Sequence, residues 1–142
     1  LALYVETKIL EGFAARLAAL TFTPALPVSY PNISFSPPAS GKYLRARHLP
    51  NTTQQISLGS TGFNRHQGLF QIDVMWPLGV GETAPKEIAG KIIDHFKRGT
   101  EFTRESLLIR IPEPPSVAPA LVDGVSYMVP VSIRYQADAA NS

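Results

Sequence analysis

Alternation between apolar and polar positions is the strongest pattern in this chain, and it is longest near the end. From Val125 to Ala137, the residues Val125, Tyr127, Val129, Val131, Ile133, Tyr135 and Ala137 fall on one side. Ser126, Met128, Pro130, Ser132, Arg134 and Gln136 fall on the other. A period of two predicts a strand with one buried face. The same period runs from Phe70 to Trp76, where Phe70, Ile72, Val74 and Trp76 alternate with Gln71, Asp73 and Met75. Pro77 and the glycines Gly79 and Gly81 then predict a turn. Beyond Pro85 the period changes. Ile88, Ala89, Ile92, Ile93 and Phe96 recur at helical spacing, which predicts a helix packed on one side. Lys97 and Arg98 fit its negative end, and Gly99 fits a left-handed cap.

Near the start, Val5, Ile9, Phe13 and Leu17 form a second helical stripe, with Leu10 and Leu20 beside it and Gly12 as its one weak position. Pro24 and Pro27 end that helix, and the stretch after them predicts a short strand at a sheet edge. Residues 34–42 have loop composition. Tyr43 to Leu49 alternates again, with Tyr43, Arg45 and Arg47 on a basic face. Pro50 to Asn64 is polar and rich in Thr, Gln, Ser and Gly, and reads as a flexible arm or a loosely paired hairpin. Glu101 to Glu105 reads as a short connector and Leu107 to Ile111 as a strand. Pro112, Pro114, Pro115 and Pro119 predict an extended surface strip, and Asp123-Gly124 a turn. The order is helix, three strands, helix, two strands. One-sided strands of this kind predict an α+β domain spanning residues 1–142, with a mostly antiparallel sheet and two helices on one face.

The outer face of that sheet is expected to carry Arg45, Arg47, Gln71, Asp73, Arg110, Arg134 and Gln136. It is either a solvated face or an interface in which Asp73 answers an arginine of a neighbouring subunit, with Gln71, Arg110 and Arg134 as further candidates. Composition narrows the function classes. There are 13 basic and 11 acidic residues, a net charge of +2 and no cysteine. The balance argues against a dedicated nucleic-acid binder, and the absence of cysteine removes disulfides, thiol catalysis and Cys-based zinc sites. No apolar run reaches the roughly 18 residues of a membrane span, and the start carries no basic leader, so a soluble intracellular protein is expected.

Candidate chemistry is sparse. His48, His66 and His95 have no partner at metal-ligand spacing, and Asp94 and His95 leave their helix in different directions. No GxSxG elbow surrounds Ser57, Ser60 or Ser126. Gly79-Val80-Gly81 lacks the third glycine of a dinucleotide fingerprint, since Ala84 stands there. Glu82 and Asp94 are twelve helical residues apart, roughly 18 Å, too far for paired acid and base work. No catalytic, cofactor-binding or metal-binding residue is therefore assigned. This inventory favours a structural role over an enzyme or a small ligand-binding module using His48, His66 or Asp73.

The segments PALPVSYPNISFSPP, YLRARHLPN, RHQGLFQIDVMWPLGVG, DHFKRGT and VPVSIRYQADA resemble a family of bacteriophage and prophage proteins of unknown function. In size and element order that family is similar to the tail terminator, or tail completion, proteins of long-tailed phages, the minor tail protein U type. The resemblance implies a non-enzymatic virion component. Such a protein forms a homo-oligomeric, hexameric ring on the tip of the tail-tube protein and meets the head-tail connector. It implies assembly in the bacterial cytoplasm and a place in the virion tail, with non-specific DNA passage through the lumen. Lys42, Arg45 and Arg47 become the candidate lumen residues. Another neck or tail-tube component is the alternative the resemblance leaves open.

Overall fold

The computed structural model describes residues 3–141. Two helices, α1 (Val5–Ala18) and α2 (Thr83–His95), lie against a nine-stranded sheet. The strands are β1 (Val28–Ser29), β2 (Tyr43–Pro50), β3 (Gln54–Gln55), β4 (Phe63–Pro77), β5 (Glu101–Arg104), β6 (Leu107–Arg110), β7 (Ser116–Val117), β8 (Leu121–Asp123) and β9 (Ser126–Ala140). The sheet path is β1-β2-β4-β9-β6-β5, with β3 beside β4, and with β7 and β8 beside β9. Apart from the parallel pair β1-β2, the ladders are antiparallel. The fold is α+β, as the alternation predicts.

At its centre β4 and β9 pair without interruption, from Phe63↔Ala140 to Pro77↔Ser126. Both strands are 15 residues long, so this ribbon extends roughly 50 Å at the usual strand rise. Its core face presents Phe70, Ile72 and Val74 opposite Ile133, Val131 and Val129, all fully buried. Helix α1 docks there through Phe13, whose ring stacks on Phe70 at 4.1 Å, while Phe70 stacks in turn on Tyr135 at 4.3 Å. Gly68, paired with Tyr135, is where the Leu49–Asn51 backbone crosses close. A Cβ there would lie 2.4 Å from the Leu49 carbonyl oxygen.

Residues 54–55 pair with Asn64 and Arg65, so of the two readings of the polar stretch after Pro50 the loosely paired hairpin holds. Three other segments differ from expectation. Glu101–Arg104 is a strand paired with β6 rather than a connector. Its turn uses Glu105 and Ser106 at positive φ, where glycine or asparagine would have announced the hairpin. The proline strip contains β7 and leads into β8, which together extend the edge of β9 beyond β6. Prolines fit such an edge because their missing N–H leaves no ladder bond unmade. Finally, α2 ends at His95, and the Gly99 N–H donates to Ile111 rather than to a helix carbonyl.

Gly12 does more than weaken a helix. A Cβ there would lie 2.7 Å from Ile109 Cδ1 and 3.3 Å from Arg104 Cβ, so its absence lets α1 approach β5 and β6. Gly90 in α2 is the opposite case, with nothing within 4 Å of its missing Cβ. Alanine substitutions at these two glycines should therefore act in opposite directions. Gly90→Ala should stabilise by about 0.5–1 kcal/mol through helix propensity. Gly12→Ala should destabilise by about 1 kcal/mol net, because Ile109 is fully buried and cannot yield freely. Urea unfolding of the three proteins measures both, and effects of equal sign would contradict this packing.

Candidate assembly interface

The polar face of the sheet is built by the register of β2 on β4. That register sets Arg45 opposite Asp73 and Arg47 opposite Gln71. On the other side of Asp73 stands Pro130 of β9, which offers no donor. The carboxylate is fully buried, and its partners come from β2 and from its own strand. Arg45 Nε lies 3.1 Å and Arg47 Nη2 2.9 Å from Asp73 Oδ2, and Gln71 Nε2 donates to Oδ1 at 2.9 Å. Arg45 also reaches Asp123 Oδ2 at 3.3 Å and Met128 Sδ at 3.0 Å. Burial works against the Arg45 charge, but hydrogen bonding and attraction to Asp73, then to Asp123, outweigh it and raise its pKa.

Asp73, expected to answer an arginine of a neighbouring subunit, is enclosed and held by arginines of its own chain. The candidate lumen residues Lys42, Arg45 and Arg47 are divided between the two sides of the sheet. Lys42 sits 5.0 Å from the centre of the Trp76 ring, and Trp76 shares the side of the sheet that carries Leu44 and Val74. Arg45 and Arg47 lie on the opposite side and are committed to Asp73. The remaining candidates stand apart, beside β9. Arg134 meets Glu113 at 3.3 Å with both side chains 62% exposed, and exposed Arg110 lies opposite Gln136. Farther along the same face Arg65 holds Asp138 with two hydrogen bonds, at 2.9 and 3.2 Å. Most charges of the face are thus paired within the chain, with Arg110 exposed opposite Gln136 and the Nε of Arg47 buried without a partner.

The histidines are tied into the fold. His95 Nε2 donates to the Arg16 carbonyl at 2.6 Å, and Arg16 Nη2 donates to the His95 carbonyl at 2.8 Å, joining the ends of α1 and α2. His48 Nε2 lies 2.7 Å from the Tyr135 hydroxyl and 3.9 Å from Glu6, which also meets His66 Nδ1 at 3.2 Å. Burial lowers the His48 pKa, partly offset by Glu6, and burial followed by Glu6 raises that of Tyr135. Both groups are neutral near pH 7, and the phenol O–H can donate to the imidazole. Among the described residues, no three His, Asp or Glu side chains are grouped as metal ligands. No helix among them is long and apolar enough to cross a membrane.

The two ends of the β4-β9 ribbon are apolar and exposed. At one end the β3-β4 hairpin carries Ile56, Leu58 and Phe63, with Leu58 94% exposed. At the other end Leu78 and Val80 after β4 stand near Leu121, Val122 and Val125 around the β8-β9 turn. Sequence reading missed both clusters. Leu58 was visible only as a large apolar residue in a polar stretch without charge.

A helix-covered antiparallel sheet, an ion-paired outer face and apolar ends describe a protein equipped for contact. The chain belongs to the phage tail terminator family: the family profile described as phage tail terminator protein matches residues 8–135. It is a structural protein of a phage tail. One similar solved structure is 30% identical, has a TM-score of 0.77, and matches over 93% of this chain and 94% of that one. Among curated proteins none matches.

Two predictions test the polar face and the histidine. The double variant Arg45→Met/Arg47→Met should lose about 3–5 kcal/mol, because it strands the Asp73 carboxylate, and adding Asp73→Val should recover much of that loss. Urea unfolding decides it, and a triple variant no more stable than the double would show that Asp73 does not depend on these arginines. His48 supplies the second. Its folded pKa lies below the unfolded value, so the unfolded chain takes up the proton first as pH falls through about 6.5. His48 thus favours the folded state fully above that pH, and its contribution is lost progressively below it. His48→Gln should have a shallower loss of stability between pH 7.5 and 5.5 than the parent; an equal slope would contradict the assignment.

Proposed function

We propose that this chain is the terminator of a tail tube: copies close a ring on the tube tip, stop its growth and present a surface to the head connector. The observation that carries this reading is the family match over residues 8–135, which takes in most of α1, all of α2 and β4, and two-thirds of β9. Each copy contributes one α+β domain. The dissimilar ends of the ribbon support the reading, because a closed ring of identical subunits needs two different complementary patches on every copy. The count is about six by resemblance to the minor tail protein U type. DNA crosses the lumen without sequence-specific contacts, for which a net charge of only +2 is adequate. Assembly takes place in the bacterial cytoplasm and the finished protein resides in the virion tail.

The reading separates from that of a tube component by what happens in its absence. In a lysate of phage lacking this gene, tails should still polymerise, reach irregular and excessive lengths, and fail to join heads. Purified protein added during assembly should restore uniform length. Electron microscopy of the lysate measures both, and a complete loss of tubes would assign the chain to the tube instead.

A further inference from the structure

We infer that the subunit contact within this ring is made by Leu58 of one copy seated in a groove beside α2 of the next. The inference rests on the ring reading and specifies its interface. The β3-β4 hairpin is a built feature rather than a loose arm. The Ile56 N–H donates to the Phe63 carbonyl at 3.1 Å, Gln55 Nε2 to the Ser57 carbonyl at 3.0 Å, and Asn141 Nδ2 to the Ser60 carbonyl at 2.6 Å. The Asn141 N–H donates to the Gly62 carbonyl at 2.8 Å. These bonds fix a tip whose most exposed apolar side chain, Leu58, points into water, so the ordering that docking would require is already in place.

The groove lies between α2 and the β7-β8 segment and holds about 450 Å³, the size of a small binding pocket. Ala89, Gly90, Ile93, Val117, Pro119 and Val129 give it an apolar lining. Gly90 is the second observation that points to an occupant. A glycine inside a helix destabilises it by about 1 kcal/mol relative to alanine, and nothing in its own chain approaches the space beside it. Close approach by another chain accounts for that residue. The charges agree. Residues 51–64 carry none, and the two charged groups at the groove rim, Glu82 and Lys86, neutralise each other at 3.0 Å.

Distance makes the occupant a second copy. Along β9 the groove borders Val129, whereas the hairpin lies beyond Ala140, whose partner is Phe63. Eleven residues of strand separate those positions, roughly 35 Å, so Leu58 cannot reach the groove of its own chain. The contact is therefore head to tail, the kind that closes rings.

Complementary variants test this. Leu58→Asp spoils the tip and leaves the groove intact; Gly90→Trp fills the groove and leaves the tip intact. Both changes lie at exposed positions, so each variant should melt within a few degrees of the parent. Each alone should remain monomeric by light scattering on tail-tube tips or at concentrations where the parent assembles, and an equimolar mixture should stop at dimers, since only one productive contact survives. The chain has no cysteine, so a tagged Leu58→Cys protein mixed with an untagged Gly90→Cys protein should give a mixed disulfide in the assembled fraction. If both blocking variants assemble like the parent and no mixed disulfide forms, the tip-in-groove contact is wrong while the ring stands. If the parent itself stays monomeric both free and on tubes, the ring reading fails and this contact with it.

Discussion

The uninterrupted pairing of β4 with β9 is the constraint on which the rest of the structure depends. It creates two faces with opposite requirements. On one, Phe70, Ile72 and Val74 meet Ile133, Val131 and Val129, and the stack of Phe13, Phe70 and Tyr135 brings α1 onto the sheet. On the other, Asp73 faces Pro130, which can offer it nothing. The charged donors come from β2, where Arg45 and Arg47 supply them, and Gln71 of Asp73's own strand adds a third. Strand order and register are linked in this way. A slip of one residue would turn Asp73 toward the apolar core and Ile72 or Val74 toward the arginines.

Much of this was legible in the sequence because the signals were local. The alternations of Phe70 to Trp76 and Val125 to Ala137 and the helical stripes ending at Leu17 and Phe96 follow from spacing, and the edge placement of Val28 follows from the prolines around it. What was not legible depended on pairing or on unusual turn chemistry. Residues 45 and 73 lie far apart in the chain, and the connection between their strands is too long to set a register. The sequence therefore placed them on one face without showing that they satisfy each other. The β5-β6 turn was hidden because Glu105 and Ser106 hold positive φ without glycine or asparagine. The edge strands among the prolines are too short to show a period. Gly12 looked like a flaw until its neighbours in β5 and β6 were known.

These features together describe a subunit whose fold is secured internally and whose contact surfaces lie at the extremities. Most of the charged face is paired within the chain, and the apolar hairpin tip, the groove beside α2 and the apolar cluster around the β8-β9 turn stand exposed. On the proposed reading, identical copies joined through two such different patches propagate in one direction, and a rotation that closes makes them a cap on a tube. A tube component, by contrast, would stack along the axis and occur throughout the tail.

Location in the assembled tail tests the central claim most directly. Virions carrying a tagged copy of this chain can be labelled with gold and imaged by electron microscopy. The account predicts label confined to the head-proximal tip of the tail tube, at the junction with the connector. Label distributed along the tube, or confined to the far end, would contradict it.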